Sequence, residues 1–140
     1  MFAVVRLRST VKARKEIEDT LNMLRLKRKM HCVLLKEDVS VKGMIRYVKD
    51  YVTWGEISDE VLKQMIVKRA RKEGEKRLTE KESLEVFEKI KKHNDFDGIK
   101  KVFRLTPPSK GFRKSIKQHY PNGELGYRVK EINALLKRMI

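Results

Sequence analysis

The sequence has a single cysteine, no long apolar run and, toward its C-terminal end, few acidic residues. Because Cys32 has no partner, an internal disulfide and a cysteine-based zinc site are excluded. The longest apolar runs span only a few residues, so no transmembrane helix is predicted. The first residues also lack the layout of a secretory signal peptide. These absences predict a cytoplasmic protein.

Residues that could support catalysis are also scarce. The three histidines lie in different segments, and His31 and Cys32 are neighbours in a predicted strand, where their side chains point to opposite faces. The chain has no glycine-rich phosphate loop and no isolated carboxylate pair. We therefore predict no enzyme activity, metal site, cofactor or small-molecule substrate, and we interpret Cys32 as a core residue. A nucleic-acid-processing enzyme is the alternative of another class.

Positive charge is what the chain has in excess. Its 140 residues include 35 Lys and Arg and 19 Asp and Glu, for a formal net charge of +16. Residues 1–58 have thirteen basic and seven acidic side chains, residues 59–98 eleven and ten, and residues 99–140 eleven and two. So large an excess opposes compaction and calls for a polyanionic partner, either nucleic acid or an anionic membrane surface.

Residues 100–128 combine this charge with aromatic rings and turn-forming residues. They contain eight Lys or Arg against one acid, Glu124, with prolines and glycines between them. Lys and Arg bind phosphates, and flat rings stack on unpaired bases. We predict a shaped RNA-binding loop here, held by a strand near Ile99 and by a terminal helix after Arg128. The rings in this stretch are Phe103, Phe112, His119, Tyr120 and Tyr127.

A second basic cluster occupies residues 25–29, while Arg6 and Arg8 end the first predicted strand. In a parallel strand–helix–strand unit, the strand's end and the helix's end lie at opposite ends of the sheet. We therefore expect the protein to join two RNA segments. The predicted phosphate contacts are Arg6, Arg8, Lys12, Arg25, Lys27, Arg28, Lys29, Arg104, Lys110, Arg113, Lys114, Lys117 and Arg128. The predicted stacking rings are Phe112, Tyr120 and Tyr127.

Hydrophobic periodicity predicts a β-α-β-α-β order over residues 1–58, with strands near residues 2–8, 31–36 and 52–57. Ser9 and Thr10 are expected to cap the first helix, and right-handed crossovers favour parallel pairing of the strands. We predict an α+β protein with a small ferredoxin-like (split βαβ) three-stranded core and two helices on one face. A mostly helical C-terminal extension completes it.

Residues 59–140 form that extension, a helical and basic-loop segment packed on the core domain of residues 1–58. A helix is predicted to start at residues 58–60 and end at Gly74. A capping box of Thr79 and Glu82 starts the next helix, which runs to residues 93–94. These two helices are predicted to pack as an antiparallel hairpin. A possible strand at residues 99–105 and an amphipathic terminal helix follow.

Three other binding functions are weaker fits. A membrane-surface protein needs a basic amphipathic helix, but the apolar side of the terminal helix is required to close the core. A helix-turn-helix DNA-binding protein needs a basic recognition helix, whereas the middle helices are nearly neutral. A general RNA-binding protein or RNA chaperone remains the main alternative.

The first 58 residues resemble the L-thirty family of large-subunit ribosomal proteins through the first strand, residues 20–26 (TLNMLRL), residues 31–35, residues 44–52 and Trp54-Gly55. The second half resembles the longer archaeal and eukaryotic branch, whose eukaryotic member is called L-seven. The chain lacks that member's basic N-terminal extension, which favours an archaeal-type protein. The matching residues of the second half are 65–69 (MIVKR), 103–105 with Pro108, Lys110 and Gly111, 123–128 (GELGYR) and 132–139 (INALLKRM).

The resemblance implies a structural constituent of the large ribosomal subunit. Such a protein binds and braces large-subunit rRNA of the 23S type, close to 5S rRNA and beside other large-subunit proteins. It has no catalytic activity and needs no cofactor.

Overall fold

The computed structural model describes residues 1–72, 74–93, 96 and 98–140, and within them one six-stranded sheet lies between two layers of helices. The strands are β1 (Phe2–Arg6), β2 (His31–Leu35), β3 (Val52–Glu56), β4 (Val102–Arg104), β5 (Ser115–His119) and β6 (Gly123–Tyr127). The helices are α1 (Lys15–Met23), α2 (Val39–Tyr47), α3 (Asp59–Arg69), α4 (Glu80–His93) and α5 (Ile132–Met139). The predicted α+β class is confirmed.

Strand β1 lies inside the sheet, whose order is β4-β2-β1-β3-β6-β5. All five of its residues are buried, and the near-continuous apolar run of this strand is typical of a strand covered on both faces. Ala3 and Val5 pack in the core formed with α3, α4 and α5. Phe2 and Val4 pack in a separate core with α1 and α2. Alternation along one strand therefore supplies both cores, and α1 and α2 share one face as predicted.

The predicted parallel pairing of adjacent strands is wrong for β1, which is antiparallel to both β2 and β3. The nonhelical segment before α1 lets the chain turn back, so that β2 begins where β1 ends. There the Met30 N–H donates to the Arg6 carbonyl at 2.7 Å. Because β2 and β3 both oppose β1, they run parallel to each other with β1 between them. This is the predicted split βαβ arrangement.

The predicted cap of the first helix is also wrong. Helix α1 begins at Lys15, and its N-cap residue, Arg14, makes no side-chain capping bond. The Thr10 hydroxyl oxygen instead accepts a hydrogen bond from Arg6 Nη2 at 3.1 Å, and the Ser9 hydroxyl oxygen accepts one from the Val11 N–H at 3.4 Å. Local sequence favoured a cap at these residues, but the tertiary contact with Arg6 determines what Thr10 does.

The C-terminal part contributes three strands to the sheet: β4 confirms the strand predicted at residues 99–105, whereas β5 and β6 lie in the stretch predicted as a loop. Strand β4 pairs antiparallel with β2, and β6 pairs parallel with β3. Phe103, on β4, is fully buried opposite Cys32. Cys32 is itself fully buried, which confirms it as a core residue, and this burial raises the pKa of its thiol to about 12. The domain boundary after residue 58 stays a prediction.

Helices α3 and α4 pack side by side. Ser58 is the N-cap of α3, as predicted, but the helix ends at Arg69, short of Gly74. Lys91 Nζ, near the end of α4, lies 2.5 Å from Asp59 Oδ2 at the start of α3, which fits the predicted antiparallel hairpin. The predicted helix end at Asn94 lies outside the described residues. None of the helices described is both long and apolar enough to span a membrane.

Helix α5 buries Ile132, Leu135, Leu136 and Met139 against the sheet, as its amphipathic pattern predicted. The terminal helix was predicted to follow Arg128, but Val129 lies in a preceding 3₁₀ turn and is 46% exposed. The terminal helix therefore begins only after this turn.

Glu82 supports the start of α4. Its Oε2 accepts the Thr79 N–H at 2.9 Å, which confirms this half of the predicted capping box, and Lys72 Nζ lies 2.5 Å from its Oε1. These contacts, the Lys72 bond foremost, lower the pKa of Glu82 to about 2.

We therefore expect Glu82→Ala to have a lower Tm than the parent at pH 7. A depressed carboxyl pKa stabilises the fold above the unfolded-state value near 4.5, and this contribution is lost as pH falls toward about 2. The Tm deficit should consequently narrow over that window in thermal melts followed by circular dichroism. Glu85→Ala, on the exposed face of the same helix, is the control. A deficit that does not change with pH would contradict this role.

Candidate nucleic-acid interface

Arg6 is a structural residue, not the predicted phosphate contact. Only 5% of its surface is exposed. Its Nη1 donates to the carbonyls of Leu26 and Lys27, each at 2.7 Å, and its Nε donates to the Arg8 carbonyl at 3.0 Å. Burial lowers the pKa of the guanidinium, and the charge of Glu18 partly opposes this shift. With its donors directed at protein oxygens, Arg6 fixes the connector that follows α1.

This contact also corrects the predicted placement of the basic clusters. Residues 25–29 lie at the same end of the sheet as the end of β1, because the Arg6 side chain reaches their backbone. The prediction that the two groups face opposite ways was based on parallel pairing, and it fails with that pairing. Arg25, Lys27, Arg28 and Lys29 are all exposed. The clusters therefore join at one end of the sheet.

Arg25 has a left-handed backbone at the end of α1, with a φ of 62°. The Leu26 N–H donates to the Leu21 carbonyl at 2.8 Å, and the Arg25 N–H donates to the Asn22 carbonyl at 2.9 Å. This bonding is a Schellman motif, in which glycine usually occupies the left-handed position. The turn directs the chain across the end of the sheet and leaves the Arg25 side chain in solvent.

A basic groove runs between this connector and the edge strand β4. Its cavity volume is about 620 Å³, and five cationic side chains line it together with His31 and Asn22. Among the described residues, no carboxylate lines the groove. The nearest opposing charge in the described structure is the exposed Glu75, 3.2 Å from Lys100 Nζ and 2.8 Å from Arg104 Nη2. The five cations are Arg25, Lys27, Lys100, Lys101 and Arg104.

His31 contributes to the wall of the basic groove. It pairs with Arg104 across β2 and β4, and its Nδ1 is buried without a hydrogen-bond partner. Burial lowers the pKa of His31, and the charges of Arg104, Arg28 and Arg6 lower it further. The surrounding cations therefore favour the neutral imidazole.

Arg128 is likewise removed from the predicted phosphate contacts. It is buried and pairs with Glu124, the one acid in residues 100–128. Its guanidinium carbon lies 5.4 Å from the centroid of the Tyr120 ring, and Lys114 Nζ lies 5.6 Å from the same ring. Arg128 therefore orders β6 and the Tyr120 ring, which is 37% exposed.

The opposite edge of the sheet has its own cations. Arg113, Lys114 and Lys117 are exposed on and just before β5, and Lys110 is exposed on the preceding turn.

The remaining two predicted contacts lie in the segment between β1 and α1. Arg8 is half-buried, with Nη1 donating to the Asp50 carbonyl at 3.2 Å. Lys12 is exposed before α1. These predicted residues do not join the basic groove.

The three predicted stacking rings have different environments. Phe112 is half-buried and packs against the core. Tyr127 is 43% exposed, with its ring centroid 6.3 Å from that of Phe2 and 6.1 Å from that of Trp54. Tyr120 lies beside the cations described above. Of these three predicted rings, Tyr120 and Tyr127 therefore offer the most exposed ring surface to a base.

Sequence reasoning missed four cations and two rings that lie beside predicted ones. Lys100 and Lys101 were counted in the basic stretch but were not chosen as contacts, although both line the groove. Their position next to the strand containing Arg104 was an available signal. The others lie around Tyr127, where strand and helix order brings distant residues together. They are Phe2, Lys42, Arg46 and Trp54.

In the part of the chain that the structure describes, no three His, Cys, Asp or Glu side chains gather into a group that could hold a metal ion.

Comparison with known proteins gives the family. The model of the family "Ribosomal protein L30p/L7e" matches residues 2–52. A curated protein of Archaeoglobus fulgidus, named large ribosomal subunit protein uL30, is 45% identical over 99% of both chains. Proteins of the same name from Methanococcus vannielii and Methanosphaera stadtmanae are 46% and 38% identical, over 99% and 100% of both chains. This chain therefore belongs to the ribosomal protein L30p/L7e family, as an archaeal-type member.

Proposed function

We propose that this chain is a structural constituent of the large ribosomal subunit that binds and braces rRNA. Family membership supports the ribosomal role and a cytoplasmic location in the ribosome. The finer proposal is that its partner is 23S-type rRNA close to 5S rRNA, beside other large-subunit proteins, and that it catalyses no reaction. The observation that carries it is the basic groove, which five cations line beside one edge of the sheet.

The groove suits a folded RNA backbone. Cations held together on a strand and a fixed turn are already positioned, so binding releases phosphate counterions without first ordering a flexible tail. The Arg25 and Arg104 guanidiniums can each donate two hydrogen bonds to one phosphate. Lys27, Lys100 and Lys101 add charge between them. We propose Arg28 and Lys29 as flanking contacts, because they continue the same exposed connector.

The second basic surface supports a bracing role. The sheet places β4 and β5 at opposite edges, five strand spacings apart, or roughly 24 Å. We propose that Arg113, Lys114 and Lys117 on the β5 side contact a second RNA segment. Arg8, Lys12 and Lys110 are proposed as additional contacts outside the groove. The protein is thus still proposed to join two RNA segments, but the two contact sites lie at the edges of the sheet and not at its ends.

Arg25→Gly tests the groove without endangering the fold. Glycine adopts the left-handed position freely, so we expect stability to stay within about 1 kcal/mol of the parent. Affinity for deproteinised large-subunit rRNA should fall roughly tenfold, and the slope of log affinity against log salt should decrease by about 1. Filter binding over a salt series measures both quantities.

Lys63→Gln on the nearly neutral helix α3 removes the same charge elsewhere and should leave the affinity close to that of the parent. If both variants bind alike, the groove is not the RNA site. Footprinting of the same rRNA, with and without the protein, should show two separate protected segments. A single protected segment would contradict bridging, and a protein that shows no preference for large-subunit rRNA would favour the RNA-chaperone alternative.

A further inference from the structure

A shallow aromatic pocket lies on the face of the sheet that α1 and α2 only partly cover. Its cavity volume is about 390 Å³, and its five lining residues come from three adjacent strands and from α2. We call it the aromatic shelf. It is lined by Phe2 of β1, Trp54 of β3, Tyr127 of β6, and Lys42 and Arg46 of α2.

The strand order alone explains why the rings meet. Phe2 and Trp54 lie on the same face of β1 and β3, and Trp54 is opposite Tyr127 in the β3–β6 pair. The Trp54 and Tyr127 rings are tilted by 31°, with centroids 6.1 Å apart. Phe2 meets Tyr127 edge-on, at 83°. The rings therefore form a continuous floor instead of three isolated side chains.

The floor is fixed and partly open to solvent. Phe2 is 6% exposed and anchors the rings in the core, whereas Trp54 is half-buried and Tyr127 is 43% exposed. Tyr127 Oη donates to Glu56 Oε1 at 3.3 Å, which fixes the direction of the phenol. A flat ligand can therefore stack here without a costly rearrangement.

Two cations beside the floor indicate the charge of the ligand. Lys42 Nζ lies 5.6 Å from the centroid of the Phe2 ring, and Arg46 is exposed one helical turn further along α2. Cations at this rim disfavour a basic peptide and favour a ligand with a negative charge next to a flat ring. A nucleotide has both features.

We propose that the aromatic shelf binds one unpaired nucleobase of the rRNA, stacked on Trp54 and Tyr127, with its phosphate at Lys42 and Arg46. This inference rests on the proposed function. It adds a site that recognises unpaired RNA, separate from the groove at the β4 edge, which contacts the backbone by charge.

Trp54 is the only tryptophan of the chain and therefore reports on the aromatic shelf directly. Deproteinised large-subunit rRNA should quench the fluorescence of Trp54, and the quenching should have the same midpoint RNA concentration as binding. A fully paired RNA duplex should bind the full-length chain through charge, without quenching the fluorescence of Trp54.

Tyr127→Ala should weaken rRNA binding roughly tenfold, which is within the range for losing one stacked base. It should leave the affinity for the duplex and the salt slope of binding unchanged. Tyr127→Phe, which keeps the ring, should bind rRNA like the parent.

Lys42→Gln, an exposed change on α2, gives a second variant if Tyr127→Ala is unstable in thermal melts; it should weaken rRNA binding more than duplex binding. If rRNA leaves the Trp54 emission unchanged and these variants bind rRNA with full affinity, the aromatic shelf does not bind a base, while the proposed function remains intact. Quenching in intact subunits but not by free rRNA would overturn it in favour of a neighbouring protein. Failure of the parent to bind either RNA would overturn the proposed function itself.

Discussion

Replacing Gly55 with alanine is expected to lower the free energy of unfolding by about 3 kcal/mol, the upper part of the usual range for overpacking. A Cβ at this position would collide with the Val129 carbonyl oxygen and lie 2.9 Å from Ile132 Cγ2. A backbone carbonyl cannot rotate away as a flexible side chain can, so the start of α5 must move off the sheet. Thermal melts should show a fall in Tm of roughly 10 °C.

Gly43→Ala is the matched control and should change stability in the opposite direction. Gly43 lies in α2, with nothing within 4 Å of an added Cβ. Alanine there raises helix propensity and should stabilise the fold by about 0.5–1 kcal/mol. Equal stability of Gly55→Ala and the parent would show that α5 packs on β3 less closely than the 2.9 Å approach of Ile132 Cγ2 indicates.

Arg6→Met is expected to destabilise the protein by about 3 kcal/mol and also to weaken rRNA binding. Methionine can fill much of the buried space, but it cannot donate to the carbonyls of Leu26, Lys27 and Arg8. Hydrogen bonds from a charged donor contribute about 1.5–3 kcal/mol each, and the removed desolvation cost of the guanidinium offsets part of the loss. Urea unfolding measures the first effect, and filter binding measures the second.

Arg6→Lys separates the structural role from a phosphate contact. Lysine keeps the positive charge but has one ammonium group in place of the forked guanidinium, so it cannot reach all four acceptors. If Arg6 positions the connector, Arg6→Lys should lose most of the stability that Arg6→Met loses. Near-parental stability combined with near-parental affinity would instead restore Arg6 as a simple charge contact.

The elements of the core could be predicted from the sequence because their apolar residues follow the periods of strands and helices. The near-continuous apolar run of residues 2–5 indicated a strand buried on both faces, and this strand is β1. Periodicity says nothing of which strands are neighbours, however, so the antiparallel pairing of β1 was not predictable from it. Strand β5 was missed for another reason: all five of its residues are exposed, so it has no apolar alternation to read.

The interface was predictable as charge but not as geometry. Arg25 and Arg104, which were predicted as phosphate contacts, are exposed and line the basic groove. Arg6 and Arg128 have the same residue type, yet both are buried against protein oxygens. The partners of Arg6 are carbonyls about twenty positions away, and composition gives no sign of such a contact.

The parallel pairing of β3 with β6 has a consequence for synthesis of the chain. Glu56 ends β3, and about 70 residues must still be added before Tyr127 completes its neighbour. At about 5–20 residues per second, one edge of the nascent sheet waits roughly 4–14 s for its partner. During that time Ala3 and Val5 also lack the terminal helix that covers them. The N-terminal half therefore leaves the ribosome with an unpaired edge and an apolar face that α5 does not yet cover, so the last-made residues complete the fold and shield the new chain from aggregation.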